Sequence, residues 1–341
     1  MTDLITQYLP CDEEGTALGA ELLRRGELVA MPTETVYGLA ADATNEDAVR
    51  RIFTVKGRPQ DNPLIVHISN LDMWRPLVES IPDDALRIAK AFWPGPLTII
   101  LKKSELVPLT TTAGMDTVAV RMPLHEGARA LIEKSGLPLA APSANLSGLP
   151  SPTTAEHCRR DLDGKIPLVL DGGECKFGIE STVVSLAGEK PILFRPGAIT
   201  AEQLADVLGH PVIISDAVSH PLKDGEHPSS PGMKYKHYSP KAKVVLVEGT
   251  SEAFIRLLES APEGTWGMVF SGDEVKTTRP TLVYGIEHDP QSQMHGVFAA
   301  LRRMDDEGAQ LVYVRCPDHD GGSLGVYNRL LRAAGFEVIS I

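Results

Sequence analysis

Two runs of alternating strand and helix patterns, separated by one long stretch without a hydrophobic period, constrain the fold most. Apolar strand patterns alternate with amphipathic helix patterns across residues 1–214, and the same alternation returns over residues 244–341. Such alternation favours an α/β fold with helices on the faces of a parallel or mostly parallel sheet. The stretch between them, residues 215–243, is rich in Pro, Ser, His and Gly. We therefore predict two domains joined by a linker.

Several predicted elements carry their own start or stop signals. A helix is predicted over Thr16–Gly26, where the glycine ends it, and another begins after Asn45. Thr200 and Gln203 fit a capping box, and Asp289 opens a helix in the second domain. The strand patterns are ELVAMP, LIVHI, LTIILK, TVAVRMP, PLVLDGG, STVVSL, KVVLVEG, GMVF, TLVYG, LVYVRC and FEVIS.

The charge balance limits the kind of partner. Forty-five acidic residues against 33 basic ones give a net charge of −12. So acidic a chain argues against broad contact with a nucleic-acid backbone. An aromatic share of 5% also argues against extended base stacking. A small local cationic pocket remains compatible with this composition.

The N-terminus and the cysteines bear on location. The first residues lack a basic start and an apolar run, so no signal peptide is expected. The cysteines are scattered, with no CxxC pair, at Cys11, Cys158, Cys175 and Cys316. That spacing is poor for a zinc site and gives no disulfide framework. We expect reduced thiols and a cytoplasmic protein.

The segment VKGRPQDNPLIVHI carries the first candidate site residues. Lys56 and Arg58 lie on a proline-stiffened turn, where two cations suit phosphate binding. A solvated pair at a helix C-terminus is the equally weighted alternative. His67 alternates with apolar residues and is more often a core histidine than a ligand. Arg121 ends a strand and needs an anion, either a protein carboxylate or a substrate.

Two loops and one turn add polar candidates. The loop APSANLSGLPSPTT offers hydroxyls and amides for an oxygen-binding cradle, or is simply a polar turn. Ser181 begins a strand, and Arg195 precedes a Pro-Gly turn. The glycine-rich DHDGGSLGVYNR is a weak candidate for anion binding. Because no motif for a protein nucleophile is present, an enzyme of this sequence would act by positioning and charge stabilisation.

Six segments in order resemble one family. PTETVYGLAADA, KGRPQDNPLIVH, TVAVRMP, APSANLSG, ESTVV and RPGAI are similar to the YrdC-like domain of threonylcarbamoyl-AMP synthases. The motif SPGMKYKHYSP and a second α/β domain resemble the long, two-domain type. The resemblance implies a twisted mixed-sheet YrdC-like domain and a smaller C-terminal Rossmann-like α/β domain.

The resemblance also implies a reaction. The family joins L-threonine, bicarbonate and ATP into L-threonylcarbamoyladenylate and releases pyrophosphate. A downstream tRNA threonylcarbamoyl transferase uses this product to form N6-threonylcarbamoyladenosine at tRNA position 37, so tRNA is not a direct substrate. Mg²⁺ on the phosphates is expected, with unidentified ligands, and no membrane partner is implied.

Site residues follow from the resemblance, position by position. The implied threonine contacts are Thr35, His67, Arg121, the backbone of Ala141, and Ser181. The implied nucleotide contacts are Arg58, Asn62, Thr117, Ser143, Ser151, Arg195 and Tyr235, the last folding over ATP from the linker. Lys56 and Arg58 are the implied catalytic residues, with Lys56 supporting the phosphates. The sequence departs from the pattern at Leu149 and Ser185.

Three other interpretations stay open. A cationic concavity could bind double-stranded RNA, although the net charge opposes high affinity. A similar domain occurs in the carbamoyl-transfer enzyme of hydrogenase maturation, but that larger protein has zinc-finger parts that need CxxC pairs. The C-terminal domain could be an interaction surface, which is compatible with an enzyme.

Overall fold

The computed structural model describes residues 4–221 and 238–341, which form a larger N-terminal unit and a smaller C-terminal unit. The N-terminal strands are β1 Gln7–Pro10, β2 Val29–Met31, β3 Gly38–Asp42, β4 Ile65–His67, β5 Leu97–Lys102, β6 Thr117–Arg121, β7 Leu139–Ala140, β8 Leu168–Asp171, β9 Thr182–Ser185, β10 Ile192–Arg195 and β11 Ile213–Ile214. The N-terminal helices are α1 Glu13–Arg24, α2 Glu46–Lys56, α3 Asp83–Phe92, α4 Leu109–Thr112, α5 Glu126–Ser135, α6 Ala155–Leu162 and α7 Ala201–Leu208. Among the described helices, none has the length and apolar character needed to span a bilayer.

The N-terminal sheet is mixed, as the resemblance implies. Its strands follow the order β1-β8-β2-β3-β7-β4-β6-β5-β9-β10-β11. β4 runs parallel to β6, whereas β5 runs antiparallel to β6 and β10 antiparallel to β9. Most of its central strands are fully buried, which explains why they read as continuous apolar runs.

The C-terminal unit is a five-stranded parallel sheet in the order β14-β13-β15-β12-β16. Its elements are β12 Lys243–Glu248, α8 Ser251–Ser260, β13 Thr265–Phe270, β14 Thr281–Gly285, α9 Pro290–Asp306, β15 Leu311–Arg315, α10 Leu324–Ala333 and β16 Val338–Ser340. One face of the sheet packs on α9 and α10, and the other packs on α8. The predicted smaller Rossmann-like domain is confirmed.

Helix starts follow their capping side chains. Asn45 accepts hydrogen bonds from the backbone N–H groups of Asp47 and Ala48, and Thr200 forms the predicted capping box. Asp289 caps α9. The predicted bounds of the first helix, Thr16–Gly26, are wrong at both ends. It begins at Glu13, because the Asp12 side chain accepts from the Gly15 N–H, and it ends at Arg24, before Gly26.

Buried ion pairs join the two units. Arg302 of α9 donates to Asp161 of α6 at 2.8 Å, and also to the Pro150 carbonyl at 2.6 Å. Arg329 of α10 donates to Glu180, just before β9, at 2.8 Å. Separating a buried ion pair leaves a buried charge without its partner, which is costly. These contacts therefore hold the two units together in one arrangement. Most of the predicted linker, residues 215–243, lies outside the described residues, so that boundary stays a prediction.

Candidate active site

Three arginines from separate parts of the chain line one cavity. Arg58 follows the C-terminus of α2, Arg121 ends β6, and Arg195 ends β10. His67 ends β4, which pairs in parallel with β6 so that His67 lies opposite Arg121. The fold therefore concentrates positive charge at one point of an acidic chain. The other lining residues used below are Ala141, Ser143, Glu180, Ser181 and Tyr238.

Arg121 is held by protein acceptors on three sides. Its Nη2 donates to Glu34 Oε1 at 2.6 Å, and its Nη1 donates to Thr35 Oγ1 at 2.8 Å. Its Nε lies 3.3 Å from the Gly95 carbonyl oxygen. Of the two partners left open by the sequence, a protein carboxylate is present. A guanidinium has five N–H groups, so Arg121 also has donors for a ligand carboxylate.

His67 is a neutral side chain in this site. Burial, together with the positive charge of Arg121, lowers the pKa of His67 to about 3. Its Nδ1 lies 3.2 Å from the Ile65 carbonyl oxygen, so the ring is held by the backbone of its own strand. His67 therefore offers a hydrogen-bonding group of fixed orientation without adding charge.

Ser181 is oriented by neighbours on two strands. Its hydroxyl lies 2.7 Å from Thr98 Oγ1, and Arg195 Nη2 donates to it at 3.1 Å. Arg195 Nε also donates to the Ser181 carbonyl at 3.0 Å. Burial, together with the charge of Arg329, lowers the pKa of Arg195 to about 10. Arg195 is thus still charged at neutral pH and connects Ser181 to the cationic wall.

Glu180 is the carboxylate next to this pair. It accepts from Ser151 Oγ and from Arg329. Burial alone would raise the pKa of Glu180, but the charges of Arg329 and Arg195 and the Ser151 bond outweigh it and lower that pKa. Glu180 is therefore ionised, and its charge is balanced by arginines from both structural units.

Arg58 lines the same cavity and is held by the segment that follows it. Arg58 Nη2 donates to the carbonyls of Asn62 and Pro63, each at 3.2 Å. Burial, with the nearby charge of Arg195, lowers the pKa of Arg58 to about 10, so it too is charged at neutral pH. The buried Asn62 amide has no hydrogen-bond partner among the described residues. A buried amide in that state has unused hydrogen-bonding capacity for a ligand.

Lys56 lies behind the cavity wall. Its Nζ donates to the carbonyl oxygens of Ser143 and Asn145 and lies 3.3 Å from the Asn145 side-chain oxygen. Burial, followed by the charge of Arg58, lowers the pKa of Lys56 well below its usual range. Lys56 thus ties the end of α2 to the loop that carries Ser143.

The structure brings most of the predicted residues together, though not all in the wall. Of the threonine group, Thr35 is bonded to Arg121 and the others line the cavity: His67, Arg121, Ala141 and Ser181. Of the nucleotide group, the wall residues are Arg58, Ser143 and Arg195.

The remaining predicted nucleotide contacts lie around this wall. Asn62 and Ser151 are buried beside it, and Thr117 lines a neighbouring depression that shares Pro63 and Leu64 with the cavity. Tyr235 lies outside the described residues. Neither position of departure, Leu149 or Ser185, lines the cavity.

Three site residues escaped the sequence interpretation. Glu34 and Glu180 lie inside the quoted motifs PTETVYGLAADA and ESTVV, but only the distances to Arg121 and Arg329 reveal their roles. Tyr238, in the motif KYKHYSP, lines the cavity and packs on Phe298 with ring centroids 5.0 Å apart. The sequence signal that could have identified these three residues as part of the site is their position inside or beside the motifs of the family.

Sequence families match nearly the whole chain. The Sua5–YciO–YrdC family, "Telomere recombination", matches residues 21–197, and "Threonylcarbamoyl-AMP synthase, C-terminal domain" matches residues 199–335. The threonylcarbamoyl-AMP synthase of Pyrococcus abyssi is 43% identical over the full length of both chains. That of Bacillus subtilis is also 43% identical, over 98% of this chain and 97% of its own.

Solved structures agree with the sequence matches. Pyrococcus abyssi Sua5 complexed with L-threonine has a TM-score of 0.89 and 42% identity, over 99% of each chain. Escherichia coli YciO, at 23% identity and a TM-score of 0.52, covers 57% of this chain and 96% of its own. The second likeness shows the N-terminal fold alone.

Proposed function

The chain belongs to the threonylcarbamoyl-AMP synthase family, and we propose that it makes L-threonylcarbamoyladenylate from L-threonine, bicarbonate and ATP, with release of pyrophosphate, as a nucleotidyltransferase. One observation carries the proposal. Arg58, Arg121 and Arg195 converge on a single cavity of a chain whose net charge is −12. Three cations in one wall, of which Arg121 and Arg195 are buried and Arg58 is half-buried, suit a ligand with several negative groups.

The reaction needs two bond-forming steps. The threonine amine attacks the carbon of bicarbonate, which forms a carbamate and releases water. A carbamate oxygen then attacks the α-phosphorus of ATP, and the bond to pyrophosphate breaks. Carbamates are labile in water, so holding the reactants together in a closed cavity is the main catalytic requirement.

We assign the cavity residues to the two substrates according to their charge. We assign the threonine carboxylate to Arg121 and its side chain to the end of the cavity formed by Ser181 and His67. Because His67 is neutral, it does not attract the carboxylate away from Arg121. Arg58 and Arg195 face the phosphates, where fixed charge stabilises the negative charge that develops on transfer.

We assign the nucleotide to the other end of the cavity. The depression at Thr117 adjoins it through Pro63 and Leu64 and takes the base, while the Asn62 amide has free capacity for a ligand. Tyr235 keeps its proposed contact with ATP, and the adjoining Tyr238 already lines the cavity.

Lys56 is proposed to act through the loop it holds. Its donors are directed to Ser143 and Asn145, so it supports the phosphates by fixing Ser143 and the turn of Arg58.

Magnesium does not fit a protein site at this cavity. Glu180 lines the cavity and Glu34 lies beside it against Arg121, and each of these carboxylates is paired with an arginine. Among the described residues, Glu34 Oε2 is then the one carboxylate oxygen of this pair without a partner, which is too few oxygen ligands for Mg²⁺. We propose Mg²⁺ only as an ion carried on the ATP phosphates and route no step through it.

The biological setting stays part of the proposal. The product would pass to a separate transferase that modifies tRNA position 37, and tRNA itself would not bind as a substrate. We also propose a cytoplasmic location, because the four cysteines are free thiols, as expected in a reducing compartment.

The test measures pyrophosphate release from ATP with threonine, bicarbonate or both left out. We expect release only when both are present, and isotope from labelled bicarbonate in a product whose mass matches threonylcarbamoyladenylate. Release that continues at the same rate without threonine would overturn the assignment. Arg58→Ala should reduce the rate by at least about 100-fold, whereas the exposed Arg75→Ala is the matched control and should leave it unchanged.

A further inference from the structure

A thiol, an imidazole and a carboxylate meet in the C-terminal unit, apart from the cavity described above. Cys316 Sγ lies 3.3 Å from His319 Nε2, and the same nitrogen lies 3.4 Å from Glu248 Oε1. All three donor atoms lie within 4.8 Å of one another. Three different metal-ligating groups therefore point at one common space.

This space lies where the parallel sheet has its natural crevice. Glu248 ends β12, and Cys316 directly follows β15, its neighbour in the sheet. The chain leaves β12 for α8 on one face and β15 for α10 on the other face. Open α/β sheets bind ligands outside the carboxyl ends of strands at such a switch point. The cluster lines an open depression there, with Gly249, Asp318 and Asp320 on its rim.

We propose that Cys316, His319 and Glu248 form a binding site for one divalent transition-metal ion of the zinc type. Zinc bonds of about 2.3 Å to sulfur and about 2.1 Å to nitrogen or oxygen place tetrahedral ligand atoms about 3.4 Å apart for nitrogen and oxygen and about 3.6 Å apart for sulfur and nitrogen. The observed nitrogen–oxygen separation of 3.4 Å matches the first value, and the sulfur–nitrogen separation of 3.3 Å is slightly shorter than the second. Three protein ligands leave the fourth position to water or to a ligand entering the depression.

Neighbouring groups hold each donor in place. Ser340 Oγ donates to Glu248 Oε2 at 2.8 Å, which leaves Oε1 facing the cluster. The His319 ring stacks on Tyr327 with centroids 4.2 Å apart. The Cys316 N–H donates to the Val247 carbonyl at 3.0 Å, which extends the pairing of β15 with β12 past the end of the strand. Such supporting contacts are typical of metal ligands.

The charges around the cluster favour a cation. The carboxyl groups of Glu248, Asp318 and Asp320 line the same depression as Cys316 and His319. A divalent ion binds the deprotonated sulfur, and the thiol gives its proton to the buffer as it coordinates.

The test is a Co²⁺ titration of the full-length chain after treatment with a chelator. Thiolate coordination gives cobalt a near-ultraviolet charge-transfer band. We expect this band to saturate at one equivalent and to disappear when Zn²⁺ is added. Cys316→Ser should abolish the band, while Cys11→Ser, which removes another half-buried thiol, is the matched control and should keep it.

The remaining ligands and one supporting residue complete the test. His319→Ala and Glu248→Gln should each weaken binding by at least about tenfold, and Ser340→Ala by about tenfold. Thermal melting of the metal-free variants checks that each one folds. Three results would overturn the proposal. The first is the lack of any band at one equivalent, and the second is a band that survives Cys316→Ser. The third is wild-type affinity in both His319→Ala and Glu248→Gln. None of these outcomes depends on the proposed synthesis.

Discussion

Arg329 Nε donates to Glu180 Oε2 at 2.8 Å, and this bond joins the C-terminal unit to the wall of the candidate active site. Arg329 is fully buried, at 0% exposure. It also donates to the Pro196 carbonyl, next to Arg195, at 2.8 Å. The second unit thus supplies a charge that balances Glu180 and holds the segment from which Arg195 reaches the cavity.

Replacing this arginine should therefore affect both folding and synthesis. Arg329→Met leaves Glu180 buried without its main counter-charge, so we expect the free energy of unfolding to fall by about 3–5 kcal/mol. At a temperature where the variant remains folded, kcat should also fall. Chemical unfolding and steady-state kinetics measure the two effects. Arg303→Met, an exposed position on α9, should change neither, and wild-type kcat in Arg329→Met would refute the coupling.

The negative charge of Glu34 balances the positive charge of Arg121 when no substrate is bound. Glu34→Gln keeps the size of the side chain but removes the charge that faces Arg121 at 2.6 Å. We expect the unliganded variant to lose about 3 kcal/mol of stability. If the threonine carboxylate binds Arg121, it replaces the missing charge, so saturating threonine should raise Tm more in Glu34→Gln than in the wild type. Threonine methyl ester, which lacks the carboxylate, should not, and equal shifts with threonine would contradict the assignment.

Lys56 is expected to act through the Ser143 loop. Lys56→Met removes the donor shared by the Ser143 and Asn145 carbonyls, and buried carbonyls without donors should cost about 3 kcal/mol of stability. Because the displaced loop lies on the phosphate side, the KM for ATP should rise more than the KM for threonine. The exposed Lys90→Met is the control. Equal increases in both KM values would argue against a role through this loop.

Because His67 is buried as a neutral ring, we expect the free energy of unfolding to fall in mild acid. Its folded pKa of about 3 lies below the ordinary value of 6.5, so the unfolded chain takes up this proton first as the pH falls. The contribution is complete above about pH 6.5 and is lost progressively down to about pH 3; at pH 5 the loss is about 2 kcal/mol. Denaturant unfolding at pH 7.5 and pH 5 should show a smaller difference in His67→Gln. An identical difference in both proteins would mean that His67 is not buried as a neutral ring.

The sequence predicts local interactions well. Asn45, Thr200 and Asp289 cap helices where their short-range signals placed them. The buried strands were recognisable because both of their faces are apolar. Short strands such as β1, β7 and β11 were missed, since two to four residues become a strand only when a distant neighbour pairs with them.

The sequence by itself determined two α/β units, their order and the family, because periodicity, capping and motif order are properties of neighbouring residues. The tertiary structure alone decided that Arg121 faces Glu34 and that Lys56 turns to backbone carbonyls. It also decided that Arg329 crosses between the units and that Cys316 meets Glu248, 68 positions earlier in the chain. These contacts depend on which strands become neighbours in a sheet, and strand order is fixed by the packing of the whole chain rather than by any local pattern.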